Sequence, residues 1–363
     1  MIRPIRLRGE VMVVPRASVL MIAAVMAILI VTADTAWAQP VRGLYNWIHG
    51  TADAERSFAF YHEVFGLELT RSTFAPVAPA GAAPERIRPV SEAGSDPLVW
   101  DLTNTHGSRF RTVFMRAANT PFGLELSEFL DIPRSERPAS PWDPGASVVI
   151  FTVRDLGAVL NRLRTRGATV VTPGGAAIDT VWGRAILVRD PDGCLVEVRQ
   201  ASPTAMRTAN AGEVIETSIG ITVARLSRAL EFYQRLLGFT VKQTRAATLA
   251  ERRVSGLTGG RIAQAIMSVP GAGATVVLSE FTLPTPGPLT ATPFAWRFQD
   301  VGSPQFQLEV TGLDQLIERT RNAGYRFQSV GARPIRRPFG RFVFAIDPDG
   351  VFVEFVEPEK APQ

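Results

Sequence analysis

One supersecondary unit is repeated four times along the chain, and this repeat constrains the fold more than any other feature. The helix-like segments Asp53–Gly66 and Arg225–Gly238 share a Phe-Tyr pair, an apolar stripe and a terminal glycine. The shorter segments Leu156–Gly167 and Leu313–Gly324 resemble each other in the same way. Apolar residues at helical spacing, closed by glycine, are typical of amphipathic helices. A repeat of this kind predicts several copies of one structural unit.

A β-rich stretch precedes each predicted helix, and further strands follow it. The four preceding stretches are Leu44–Ile48, Val148–Val153, Ser218–Val223 and Phe306–Val310. The sequence Asp-Pro-Asp-Gly occurs at 190–193 and again at 347–350, each time between two apolar segments. Because proline presets φ and glycine supplies a left-handed conformation, both copies are predicted to be hairpin turns. Each unit is therefore predicted to be βαβββ.

The breaks between units predict an α+β protein of two domains. The four units span 43–130, 146–200, 213–282 and 303–358, with linker-like segments between them. The first two units form a predicted domain at 43–201, and the last two form a second at 213–358. The first unit also carries a Pro/Ala/Gly-rich insertion, Ser72–Asp96.

These elements resemble the vicinal oxygen chelate superfamily, which includes glyoxalase I, bleomycin-resistance proteins and extradiol dioxygenases. The matching motifs are the S-F-A-F-Y-x-x-V-F-G and A-L-E-F-Y-x-x-L-L-G helices and two D-P-D-G-x-x-V-E hairpins. The resemblance implies paired βαβββ units, in two tandem domains, whose sheets curl around clefts. In the enzymes of this family, it also implies a divalent metal in the cleft that chelates two adjacent oxygen atoms.

The resemblance places the family's metal ligands on the first and last strands of each unit. The first-strand positions are Asn46, Val148, Ser218 and Gln305, and the last-strand positions are Glu125, Glu197, Val277 and Glu354. We therefore expect the first domain to offer Asn46, Glu125 and Glu197 to a ligand. The second domain would offer Gln305 and Glu354.

The scarcity of histidine and cysteine limits the metals that these positions could hold. The chain has three histidines and one cysteine, and no histidine follows His106. Tight zinc and iron sites use imidazole or thiolate ligands, and an extradiol site would need two histidines in the second domain. No cofactor is predicted on these grounds. The alternative left open is Mg²⁺, Mn²⁺ or Ca²⁺ on Asn46, Glu125 and Glu197.

Three further residues, His106, Arg184 and Arg341, are candidates of lesser weight. His106 lies in the first unit, where a loop could overhang the cleft. Arg184 and Arg341 begin equivalent strands and are candidates for contact with an anionic ligand. Cys194 follows a turn glycine and is expected to be a small packed residue. Strand alternation places His49 on the face opposite Asn46.

The first 38 residues are predicted to be an export signal. Arginines occupy the start, Val19–Val31 is apolar, and Ala36–Ala38 is an A-x-A motif that predicts cleavage after Ala38. The apolar run is shorter than the roughly 20 residues that span a bilayer, so no stable membrane span is expected after cleavage. The net charge is +5, and the basic residues are dispersed along the sequence. These features predict a periplasmic or secreted protein that does not bind nucleic acid.

Three functions remain open at this point. The leading hypothesis is a protein that binds a small molecule without a histidine-ligated metal. The second is a lyase or isomerase that uses an oxygen-ligated divalent metal in the first domain. The third is a structural module that forms a homodimer. Whether the chain is an enzyme stays undecided by sequence.

Overall fold

The computed structural model describes residues 39–71, 86–284 and 295–359. The predicted export signal and residues 72–85 of the predicted insertion lie outside the described residues. The strands are β1 Val41–Gly50, β2 Glu68–Arg71, β3 Arg109–Arg116, β4 Gly123–Leu130, β5 Ser147–Val153, β6 Thr169–Val170, β7 Ile178–Thr180, β8 Gly183–Arg189, β9 Leu195–Gln200, β10 Val214–Val223, β11 Thr240–Ala246, β12 Arg261–Ser268, β13 Thr275–Thr282, β14 Pro304–Val310, β15 Arg326–Phe327, β16 Ile335–Arg337, β17 Gly340–Ile346 and β18 Phe352–Pro358. The helices are α1 Ala54–Phe65, α2 Pro97–Thr103, α3 Leu156–Thr165, α4 Pro203–Thr208, α5 Leu226–Leu230 and its π-helical continuation Glu231–Leu236, α6 Leu249–Val254 and α7 Leu313–Asn322.

The four repeated helices begin and end close to where the sequence predicts. At the start of α1, the Asp53 side chain accepts a hydrogen bond from the Arg56 N–H, which satisfies a helix donor that has no partner within the helix. At its end, Gly66 adopts φ 70°, a left-handed conformation that glycine reaches without a Cβ clash. Of the helices in the described residues, none is long and apolar enough to cross a membrane.

Among the described residues, the strands form two sheets of nine strands each. Four βαβββ units account for sixteen of these strands, and the short strands β7 and β16 are additional. One sheet, called sheet one here, has the order β15-β17-β18-β14-β1-β4-β3-β2, with β16 beside β17. The other, sheet two, has the order β11-β12-β13-β10-β5-β9-β8-β6, with β7 beside β8. The predicted α+β class is confirmed.

Only one of the two sheets is built from units that follow each other in the sequence. Sheet one joins the first unit to the fourth, because β1 pairs antiparallel with β14 and places Asn46 opposite Gln307. Sheet two joins the second unit to the third through β5 and β10, with Ile150 opposite Ser218. The expectation that Glu197 shares a cleft with Asn46 is therefore wrong. A repeat shows which segments are equivalent, but strand pairing decides which ones meet.

Consecutive units meet instead through their helices and turns, on the convex side of the sheets. The hydroxyl of Tyr61 in α1 donates to the Asp190 carboxylate at 2.7 Å, and Tyr233 donates to Asp347 at 2.8 Å. Both tyrosine rings are fully buried in the main hydrophobic core, as the helical spacing predicts. The convex faces therefore carry the core, and the concave faces are left to form clefts.

Candidate functional site

The concave face of sheet one carries a set of buried polar side chains, which we call the first cleft. Each of them is at most 7% exposed: Asn46, Glu125, Gln305, Gln307 and Glu354. The pairing of β1 with β14 and the adjacent strands β4 and β18 bring them to one face. Four of these residues occupy the positions that the sequence resemblance assigns to metal ligands, and all four offer oxygen atoms.

A chain of hydrogen bonds crosses the first cleft between the two units. Asn46 Nδ2 donates to Gln307 Oε1 at 2.8 Å, and Gln307 Nε2 donates to Glu354 Oε2 at 2.7 Å. On the other side, the Ser127 hydroxyl donates to Glu125 Oε1 at 3.3 Å. These bonds fix the orientation of the two carboxylates, since a buried polar group that keeps its partners is held in one conformation. Gln307 is a residue that the sequence reasoning missed.

Two cavities open on this face. The smaller encloses about 370 Å³ including open solvent but has room for only about one water molecule inside, and it is lined by Glu125, Gln305 and Glu354 together with aromatic side chains. The larger, about 980 Å³ including its open mouth, contains Asn46 and Gln307. A concave and largely apolar pocket with a few convergent polar groups is the usual form of a small-molecule site.

Gly123 makes room for Asn46 in the first cleft. A Cβ at this position would lie 2.5 Å from Asn46 Oδ1, so any side chain there would displace the amide. We expect Gly123→Ala to lower the free energy of unfolding by about 1–3 kcal/mol through overpacking, measured by chemical denaturation. Gly94→Ala is the control, because its Cβ would lie 3.9 Å from the nearest atom. Equal losses in the two variants would contradict the steric argument.

The donor set of the first cleft suits a hard cation. Carboxylate and amide oxygens are the ligands of Mg²⁺, Mn²⁺ and Ca²⁺, whereas zinc and iron sites favour nitrogen and sulfur. No histidine or cysteine lines either cavity of this cleft among the described residues. The residues present therefore fit an oxygen-ligated divalent cation.

The concave face of sheet two, the second cleft, has a different character. Three of its ligand positions hold Val148, Ser218 and Val277, and the fourth, Glu197, accepts a hydrogen bond from Arg199 at 2.6 Å. Its cavity encloses about 690 Å³ including the mouth. The Trp182 ring there lies 5.7 Å from the guanidinium carbon of Arg199. At the four equivalent positions, this cleft therefore offers only the Ser218 hydroxyl and the Glu197 carboxylate, while Glu251 and Gln264 line its cavity elsewhere.

The remaining predicted residues lie away from both clefts. His106 is exposed, with Nε2 3.8 Å from Asp101 Oδ1. Arg341 donates to Asp314 and Glu357, so its guanidinium is engaged within the chain. Arg184 is exposed.

A second polar cluster, on the convex side, was missed by the sequence reasoning. One donor atom from each of His49, Asp190 and Cys194 lies within 4.8 Å of the other two, and all three residues are buried. Burial raises the pKa of Asp190, and burial together with Asp190 raises that of Cys194. This is the one group of histidine, cysteine and acidic residues in the described part of the chain that is spaced to hold a metal ion. It combines residues of two units, which no local motif reveals.

Comparison with known proteins identifies the family. Glyoxalase I from Zea mays shares the fold with a TM-score of 0.51 and 16% identity, covering 87% of this chain and 92% of that chain. A putative dioxygenase from Bacillus subtilis subsp. subtilis str. 168 has a TM-score of 0.53 and 11% identity, covering 89% and 87%. None of the curated proteins compared with the chain matches it. The sequence model of one superfamily matches both halves of the chain, at residues 49–198 and 217–355. Since these two ranges take in most of the sequence, the chain belongs to the Glyoxalase/Bleomycin resistance protein/Dioxygenase superfamily.

Proposed function

We propose that the first cleft binds a small molecule with two adjacent oxygen atoms, through a hard divalent cation such as Mg²⁺ or Mn²⁺. The observation that carries this is the pairing of the first unit with the fourth. It gathers Asn46, Glu125, Gln305 and Glu354 on one buried face. The sequence order alone would have spread these oxygen donors over two sites.

The number and type of donors favour Mg²⁺ or Mn²⁺ over Ca²⁺. Two carboxylates and two amide oxygens would leave about two positions of a six-coordinate cation for the adjacent oxygens of a ligand. Ca²⁺ takes about six to eight oxygen ligands and is served less well by four. When bound, the cation would polarise a carbonyl oxygen of the ligand.

The protein's own groups would position and enclose that ligand. Gln307 holds the Glu354 carboxylate through its hydrogen bond, and Asn46 holds Gln307 in turn. Phe298 and Phe344 line the smaller cavity and exclude water, which strengthens electrostatic interactions there. The same arrangement would serve a lyase or isomerase acting at the carbon next to a carbonyl. Glu125 or Glu354 would then be the base.

Manganese binding tests the cation. We expect the purified, EDTA-treated protein to bind about one Mn²⁺ in the first cleft. Binding is measured by the loss of the electron paramagnetic resonance signal of free Mn²⁺. Glu125→Gln and Glu354→Gln should each weaken binding at least about 10–100-fold, the range seen even for outer-shell partners of metal ligands. Glu197→Gln, at the equivalent position of sheet two, is the matched control and should leave the affinity unchanged. Binding that none of these variants alters would contradict the proposal.

A second titration tests the ligand. Acetohydroxamate, which chelates through two adjacent oxygens, should bind the manganese-loaded protein and fail to bind the metal-free protein, measured by calorimetry. Equal binding with and without Mn²⁺ would instead favour a cleft that takes its ligand without any metal. The Glu354→Gln variant should lose acetohydroxamate binding together with Mn²⁺.

A further inference from the structure

The two Asp-Pro-Asp-Gly turns are built alike, and their differences are informative. In the first turn, Asp190 Oδ1 accepts the N–H groups of Asp192 and Cys194, and Oδ2 accepts the Tyr61 hydroxyl. In the second turn, the carboxylate at position 347 accepts the corresponding three hydrogen bonds, from residues 349, 351 and 233. Each turn thus satisfies its own carboxylate, whatever the neighbouring side chains are.

The residues around the two turns differ at two positions. The first turn has His49 and Cys194 beside its aspartates, whereas the second has the buried apolar residues Ile221 and Val351 at the equivalent places. The second copy shows that the fold accommodates an isoleucine and a valine there. The turn therefore does not require a histidine or a cysteine, and it does not explain why these two residues occur here.

The geometry of His49 supplies an independent observation. Its ring is fully buried, and neither ring nitrogen makes a hydrogen bond of acceptable geometry with any described residue. Nε2 lies 3.4 Å from Asp190 Oδ2 and 3.7 Å from Asp192 Oδ2. A buried polar group without a hydrogen bond costs about 1–3 kcal/mol, so an imidazole in this position needs a partner.

We propose that His49, Asp190 and Cys194 bind a transition-metal ion, most simply Zn²⁺, at a structural site between the first and second units. Imidazole nitrogen, carboxylate oxygen and thiolate sulfur are the three donor types that zinc accepts, and here one of each lies within 4.8 Å of the others. Three protein donors would leave one position of a tetrahedral site to a fourth ligand. On binding, the Cys194 thiol releases its proton to solvent and becomes a thiolate ligand, and His49 binds as the neutral imidazole. The metal would tie β1 to the turn that carries Asp190.

This site is distinct from the first cleft. His49 lies on the convex face of β1, next to the Tyr61 ring of α1, whereas Asn46 and Ile48 face the concave side. The two sites also differ in chemistry, since one offers only oxygen donors and the other includes sulfur. Mn²⁺ and Mg²⁺ suit the first, and Zn²⁺ and Co²⁺ suit the second.

Cobalt substitution tests the proposal. We expect the reduced, EDTA-treated protein to bind one Co²⁺ with a near-ultraviolet absorption from thiolate-to-cobalt charge transfer, and one Zn²⁺ to abolish that absorption. The double variant His49→Ile/Cys194→Val, which copies the residues of the second turn, should fold and lose the absorption. Cys194→Ser should lose it as well, while keeping the size of the side chain.

The controls separate this site from the first cleft. Glu125→Gln should keep the cobalt absorption, and His49→Ile/Cys194→Val should keep Mn²⁺ binding. No absorption with the unaltered protein, or absorption that persists in Cys194→Ser, would overturn the zinc site. If His49 and Asp190 instead form an ion pair without a metal, the unaltered protein will show no cobalt absorption.

Discussion

Replacing Arg111 with methionine is expected to lower the free energy of unfolding by about 3–5 kcal/mol, the cost of breaking a buried ion pair from one side. Arg111 is buried in β3, where its guanidinium donates to Glu128 at 2.6 Å and to both carboxylate oxygens of Glu55. Without the arginine, Glu128 would remain buried and would keep only the weaker support of Arg134 and the Ala54 N–H. Denaturation by urea measures this loss when both proteins are fitted with the same m-value, the slope of the unfolding free energy against urea concentration.

Two variants control this prediction. Arg109 lies on the same strand as Arg111 and pairs with Asp131, but that pair is exposed. Arg109→Met should therefore change the free energy of unfolding little. The double variant Arg111→Met/Glu128→Leu should recover much of the loss, because it removes both charges together. If Arg111→Met were no more destabilising than Arg109→Met, the buried pair would have no special role.

The stability of the protein is expected to fall as the pH rises, through the buried turn aspartate Asp347. Burial and the charge of Asp349 raise the pKa of Asp347 to about 7 from the ordinary value of 3.8, against the hydrogen bond from Tyr233. A folded-state pKa above the unfolded one stabilises the protein below the unfolded pKa, and this contribution is lost as the pH rises through the folded pKa. A difference of about three pKa units corresponds to about 4 kcal/mol between roughly pH 4 and pH 8.

Asp347→Asn isolates this effect, because asparagine resembles the protonated acid at every pH. From pH 4 to pH 8, the variant should become progressively more stable than the unaltered protein, as measured by the free energy of unfolding. Asp131→Asn should leave the profile between pH 4 and pH 8 nearly unaltered, since the hydrogen bond and charge of Arg109 lower the pKa of the exposed Asp131 from its ordinary value of 3.8. A pH profile that Asp347→Asn leaves unaltered would refute the assignment.

The elements of the fold were largely predictable because the sequence repeats them. The predicted segment Asp53–Gly66 corresponds to α1 with its two capping residues, and both Asp-Pro-Asp-Gly segments are turns between strands. The short helix α2 was not predicted. It follows the insertion directly, and α6 occupies the equivalent place between the second and third strands of the third unit. Helix α2 places Val99 and Leu102 in the wall of the smaller cavity.

The candidate sites were predictable residue by residue but not as assemblies. Glu125 and Glu354 were identified from their strand positions, yet their common face depends on the pairing of β1 with β14, which leaves no local signal in the sequence. The cluster around Cys194 has a signal that went unused. Comparison of His49 with Ile221, and of Cys194 with Val351, shows polar residues where the repeat has apolar ones.

The pairing of units also determines how far apart in the sequence the partners of each sheet are. Sheet two forms from one continuous stretch, β5 to β13, so all of its partners lie within that stretch. In sheet one, Asn46 pairs with Gln307, a contact between residues 261 positions apart in the sequence. Contacts so distant in sequence form slowly, because a long loop must close before they stabilise the chain. The first cleft is therefore completed only when β14 and β18 of the fourth unit pair with the strands of the first.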